Sequence, residues 1–243
     1  MPPPRRGGHR GRHSATTPRH LGFLLGETLQ RARRASLTDL LQEVLTERLG
    51  VADELHFAVP TPLLDRVVRQ VAPPGPPPPG PAPGSPLARA MPPGARPDAA
   101  FANRRDVLTA QIPSMGTMSA RAAARLYAAL LGHVPEVRLL STERLTAVAA
   151  VAYSGPDCVM EMENVSWSLG YSPSRPSSAS RPGSTFGMVG TNGSAAYADI
   201  DTGVTVALMR NCFSPDFAAI TRLDAIVAES YPPPTQSEGA TPR

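Results

Sequence analysis

The chain has 243 residues, of which 41% are hydrophobic, enough for a core, but 29 prolines and only 5% aromatic residues mark part of its length as linker. All 24 basic residues are arginine and lysine is absent, so the net charge of +4 and the pI near 9.6 follow from an Arg-, Ala- and Pro-rich composition rather than a nucleic-acid-binding surface. Chemistry that needs a lysine amine is excluded. The two cysteines, Cys158 and Cys212, form neither a CxxC nor a metal-type cluster, and no apolar run reaches the ~18–20 residues that span a bilayer.

Residues 1–19 are Arg-rich and free of acid, and read as a disordered segment. That composition is shared by transit peptides, whereas a signal-peptide apolar region is missing. Localisation is open between cytoplasm and an organelle. The first predicted helix covers 20–34, with Leu21, Leu24, Leu25, Thr28 and Leu29 on one face. A second starts at the N-cap Ser36, with Asp39 at the third helical position, carries an apolar stripe from Leu37 to Leu49, and ends at Gly50. A short strand over 54–60 and a Pro-initiated helix over 62–71 follow. Residues 73–97 hold 12 prolines in 25 positions. They read as an exposed polyproline-II insertion, or as a ligand for a Pro-reading partner.

Order resumes near Phe101. A helix is predicted over 117–132, with Met118, Ala122, Leu126 and Leu130 on one face and Arg121 and Arg125 beside it. Another covers 141–153, and a strand covers 165–172. "SAAYAD" and "VTVALMRN" are β-rich runs joined by "IDTG", with Gly203 available for positive φ. Asp199 and Asp201 flank this hairpin and read as solvated turn residues. An amphipathic helix over 216–230, capped by Ser214 or Asp216, precedes a disordered tail at 232–243. Helices, then antiparallel strands, then a helix indicate an α+β domain over 20–231, with an antiparallel sheet flanked by helices.

Four stretches carry a resemblance. "HLGFLLGETLQRARRASLTDLLQEVLTERLGVAD", "IPSMGTMSARAAARLYAALL", "WSLGY" and "FGMVGTNGSAAYADIDTGVTVALMRN" are similar, in order and spacing, to the C-terminal part of class C β-lactamase-related domains. These belong to the serine β-lactamase and penicillin-binding-protein superfamily. The resemblance implies a partial β-lactamase/transpeptidase-like fold. It also implies a serine hydrolase chemistry built on three motifs: S-x-x-K for the nucleophile, Y-x-N for proton transfer, and K-T-G or H-x-G on a sheet-edge strand.

Two of the three are missing. S-x-x-K cannot occur without lysine, and the family places it upstream of residue 20. Tyr127, Tyr153, Tyr171, Tyr197 and Tyr231 are followed two positions on by Ala129, Gly155, Pro173, Asp199 and Pro233, so Y-x-N is absent; the family's Tyr would fall near Ser14 to Thr16. The third survives in outline as Met188, Val189 and Gly190, followed by Thr191, Asn192, Gly193 and Ser194. A neutral Met188 stands where the family has a cation, while Gly190 and Thr191 turn the strand edge and offer an N–H, one half of an oxyanion hole. No G-x-S-x-G occurs. The five histidines and two cysteines show no ligand spacing, and "GTNGS" is not a phosphate loop.

The sequence therefore implies a β-lactamase-related protein that lacks catalytic residues and cofactors as given. It retains a degenerate binding strand at Met188–Ser194. The alternatives are a fragment of an active serine esterase or β-lactamase-like hydrolase, and a Pro-rich scaffold protein. With no S-x-x-K helix to bury them, the helices at 20–49 and 117–132 are expected to expose apolar stripes to a protein partner.

Overall fold

The computed structural model describes residues 20–77, 79–173, 175–177 and 183–232. The expectations for residues 1–19 and for the tail beyond 232 lie outside these. Helix α1 (His20–Arg33) leads into α2 (Leu37–Leu41), whose N-cap Ser36 forms a full capping box with Asp39. The second helix does not run on as an α-helix: Gln42–Thr46 widens into a π-turn, and the chain turns at Gly50 with φ +62°. Strand β1 (Leu55–His56) pairs with β2 (Thr117–Met118).

Several expected boundaries shift. Residues Thr61–Arg66 form a 3₁₀ helix rather than an α-helix over 62–71. The Pro-rich insertion is not all extended. Ser85 caps α3 (Pro86–Ala90), where Pro86 occupies the first helical position and so sacrifices no hydrogen bond. Two short helices, α4 (Ala99–Ala102) and α5 (Arg105–Leu108), follow. Helix α6 (Ala120–Leu130) starts after the N-cap Ser119, so Met118 belongs to β2 and reaches the core from there. Helix α7 (Thr142–Ala149) ends early, because Tyr153 opens β3 (Tyr153–Asp157), which pairs with β4 (Met162–Trp167).

The main sheet has three antiparallel strands in the order β5 (Thr185–Val189), β6 (Ala195–Asp199), β7 (Thr205–Leu208). Gly203 turns the β6–β7 connection with φ +71°. One face of the sheet, through Phe186 and Ala198, packs on Tyr127 of α6 and Leu145 and Ala149 of α7. The other face, through Ala195, Tyr197 and Val206, packs on Ile220, Leu223 and Val227 of α8 (Ala218–Ser230). The alternation of strand side chains thus fills both layers. Phe217 precedes α8, and the Asp216 carboxylate accepts the Ala218 amide at 2.9 Å. A third cluster joins Leu41, Leu49, Val51 and Leu55 to Ala122 and Ala129 of α6.

The expected exposure of apolar stripes holds for α1 alone. Leu37, Leu41 and Leu49 are buried, as are Ala122, Tyr127 and Ala129 of α6. Among the described residues no helix is long and apolar enough to cross a membrane.

Candidate functional site

The candidate strand is β5. Its register pairs Met188 with Ala196 and Val189 with Ala195. On its outer side, Gly187 and Ser172 exchange two backbone hydrogen bonds of 3.1 and 2.8 Å. Gly187 therefore points its N–H and C=O away from β6. By the alternation of an antiparallel ladder, Val189 points its own to the same edge. The segment carrying Ser172 stops covering β5 at that level, and Met188 is 42% exposed beside it.

Beyond Val189 the chain folds into a tight loop. The Gly190 N–H donates to the Ser194 carbonyl at 2.7 Å, and the Gly193 N–H donates to the Gly190 carbonyl at 2.9 Å. Asn192 Oδ1 accepts the Ser194 N–H at 3.0 Å, and Ser194 Oγ accepts the Arg210 N–H at 2.9 Å. Gly193, with φ +77°, is packed against the Arg210 guanidinium, and a Cβ there would sit 2.9 Å from the Asp216 carbonyl. Of the Gly190 and Thr191 amides, either of which could supply the one expected N–H, Gly190's is committed to the loop. The Thr191 N–H has no acceptor among the described residues. All seven candidate residues are thus contiguous at one sheet edge, and the loop that displays Thr191 is locked internally.

Several tyrosines pack in and around the sheet. Burial pushes the phenols of Tyr127 and Tyr171 above their ordinary range. Burial, then the Asp224 carboxylate, does the same to Tyr197, so all three stay neutral at physiological pH. Tyr153 donates its hydroxyl to the Pro156 carbonyl at 2.7 Å. Two shallow concavities, one bordered by Glu27, Arg31 and Asp39 and one by Leu64, Arg69 and Arg105, do not include Met188–Ser194. No group of three His, Cys, Asp or Glu residues suited to a metal occurs among the described residues.

The strongest polar constellation was not anticipated, and it overturns the reading of Asp199 as a solvated turn residue. Asp199 is 2% exposed, and Arg175 and Asp224 are 3% and 0% exposed. Arg175 donates from Nε to Asp224 Oδ1 at 2.7 Å, from Nη2 to the Asp224 carbonyl at 3.1 Å and from Nη1 to Asp199 Oδ2 at 3.4 Å. The Asp224 carboxylate also accepts the Ser177 amide at 2.9 Å and the hydroxyls of Ser177 and Tyr197. Burial pushes this carboxyl up, but the hydrogen bonds from Ser177, Tyr197 and Arg175 outweigh it and hold it below the usual carboxylate range. The arrangement ties the segment after Ser172 to α8 and β6. The sequence carried one sign of it: Asp224 occupies the i+4 position of the Ile220, Leu223, Val227 stripe, where an acid requires a buried cation.

The family model described as Beta-lactamase matches residues 7–229. EstA from Arthrobacter nitroguajacolicus Rue61a is similar in structure at a TM-score of 0.78 and 21% identity, over 90% of this chain and 60% of that one. A family VIII carboxylesterase matches at a TM-score of 0.72 and 18% identity, over 88% and 58%. A penicillin-binding protein homologue from Caulobacter crescentus matches at a TM-score of 0.70 and 27% identity, over 90% and 59%. The chain thus spans about three-fifths of the length of these proteins. Comparison with curated proteins gives no match.

Proposed function

The chain belongs to the beta-lactamase family, and from that premise we propose that it is a β-lactamase-related domain with no hydrolytic step of its own. Its retained chemistry is the binding edge at Met188–Ser194. The observation that carries this reading is the absence of every activating group together: no lysine and no Y-x-N in the sequence, and a neutral methionine at position 188. The Thr191 amide and the outer edge of Val189 support a role in holding an extended or carbonyl-bearing ligand. A carbonyl held there meets no activated nucleophile. Losing one catalytic group costs orders of magnitude in rate, and losing all of them leaves background reaction only.

Incubation with a chromogenic cephalosporin and with a p-nitrophenyl ester is expected to give no turnover above buffer. Met188→Lys, which restores a cation at the strand edge, is expected to gain none. Turnover that disappears on replacing one particular serine would refute the proposal.

A second reading, that these residues form part of an active serine hydrolase, is favoured by one observation: the chain spans only about three-fifths of its structural neighbours. Mapping the transcript's 5′ end and weighing the native protein separate the two. A longer product encoding S-x-x-K and Y-x-N supports the second reading, and a native mass near 25.6 kDa supports the first.

A further inference from the structure

The Pro-rich insertion leaves and re-enters the domain at one point. Asn103 Oδ1 accepts the Gln70 N–H at 2.8 Å, and Asn103 Nδ2 donates to the Gln70 carbonyl at 2.8 Å. The next residue, Val71, is tied to the segment after β7: its N–H donates to the Asn211 carbonyl and its carbonyl accepts the Phe213 N–H, both at 2.7 Å. This neck brings Arg69 and Arg105 to one concavity of about 210 Å³, together with Asn103 and the aliphatic side chains of Leu64, Val67 and Leu108. No acid lines it.

The two guanidiniums differ from those of the other arginines in this region. Arg89 donates to the Gly84 carbonyl at 3.0 Å, Arg96 to the Pro79 carbonyl at 3.3 Å, and Arg104 to Asp106 at 3.0 Å. The guanidiniums of Arg69 and Arg105 have no hydrogen-bond or ion-pair partner among the described residues. Two like charges at one concavity raise the local potential for an anion, and a planar guanidinium pairs with an oxyanion through two parallel N–H donors. Asn103 keeps its second Nδ2 proton for an acceptor. The aliphatic floor suits a carbon skeleton beside the oxyanion. The volume equals about seven waters at ~30 Å³ each, so that skeleton is short. We propose that this neck binds a small aliphatic carboxylic acid as its anion, with the carboxylate between Arg69 and Arg105 and the alkyl chain on Leu64, Val67 and Leu108. None of Met188–Ser194 lines the concavity, so the proposal does not depend on what the β5 edge binds. The donors are open to solvent, so binding is weak, with a Kd on the order of 1 mM, and it falls as salt is added.

Titration of the isotope-labelled full chain with 4-methylpentanoate to about 20 mM at constant ionic strength, followed by nuclear magnetic resonance, tests this. The expected result is saturable shifts of the Asn103 side-chain amide and of the Nε–H signals of Arg69 and Arg105. Arg69→Gln and Arg105→Gln should each weaken binding at least about fivefold with an unchanged far-UV circular dichroism spectrum. Arg222→Gln, at an exposed arginine of α8, should leave binding as it was. On the unaltered chain, the neutral 4-methylpentanamide should not bind, and acetate should bind at least about tenfold more weakly than 4-methylpentanoate. Shifts that do not saturate overturn the proposal. So does binding indifferent to both arginine substitutions, and so does an equal response to the amide, which would mean apolar adhesion without charge recognition. An equal response to inorganic phosphate also overturns it, since that would mean an anion site with no preference for a carbon skeleton.

Discussion

Replacing Arg175 by methionine should be among the most damaging single changes in this protein. The substitution keeps an unbranched apolar stem and removes the guanidinium with its charge. It leaves the 0%-exposed Asp224 carboxylate with the donors of Ser177 and Tyr197 but no counter-ion, and it strips Asp199 of the same partner. Removing one member of a buried pair costs about 3–5 kcal/mol, mostly because the remaining charge is uncompensated. Urea denaturation, with a slope of about 1–3 kcal/mol/M, would register this as a midpoint lower by about 2 M. The double variant Arg175→Met/Asp224→Leu should recover part of the loss, since it removes the stranded charge as well, and the two effects should be non-additive. The pH dependence has a defined sign. The Asp224 carboxyl is held below its unfolded value, so its contribution is present above about pH 4 and is lost as pH falls through the lower, folded value. Asp224→Asn should abolish that acid dependence. A loss under about 1 kcal/mol for Arg175→Met, or strict additivity in the double variant, would refute the reasoning.

Gly187→Val should unfold the sheet edge, because a Cβ at Gly187 would collide with Tyr197 Cβ and the Ala196 carbonyl and lie 2.6 Å from Tyr197 Cα. These are backbone-level contacts that cannot move aside, and loss of the cooperative thermal transition is the readout. Glu54 receives hydrogen bonds from Arg121 and Ser119, which bring its pKa down to about 2. Its contribution should therefore fade as pH drops from about 4.5 to about 2, and Glu54→Gln should flatten the fall in melting temperature over that window.

The elements that sequence patterning located well are those whose local signals agree with their packing. Ser36 caps its helix through the Asp39 amide as expected, and Gly50 and Gly203 take the positive φ their turns require, whereas Ser119 and Ser141, read inside their helices, turn out to be N-caps. The misplacements have physical sources. β3 contains glycine and proline and gains its strand geometry from β4 alone. The Pro-rich insertion hides α3 because a proline at the first helical turn reads as a breaker unless its position is known. The α1 stripe is exposed as expected, while nothing local says that Gly22 and Gly26 make the inward contact with Pro113 and Leu37. Asp199 looked like a turn residue because its partner, Arg175, lies 24 positions earlier, in a stretch rich in Ser and Pro.

The candidate edge presents a different case, in which residue identity and position together limit what the site can do. Ser172 closes the outer side of β5 at Gly187, and the loop lock between Gly190 and Ser194 ends the strand just beyond Val189. Among the described residues, what remains open is a short run, Val189 and the Thr191 amide, flanked by the half-exposed thioether of Met188. An open strand edge attracts any extended chain, yet one this short supplies few backbone hydrogen bonds, each worth about 0.5–1.5 kcal/mol net. Backbone pairing alone would then give weak binding, and selectivity must come from the side chain at 188. Methionine there offers an adaptable apolar contact, whereas the cation that K-T-G or H-x-G would place there favours an anionic group. Under the proposed function, the side chain at 188 therefore sets the class of ligand the edge accepts. On this argument an apolar extended peptide or ester should bind in preference to a carboxylate-bearing one, and Met188→Lys should reverse the order.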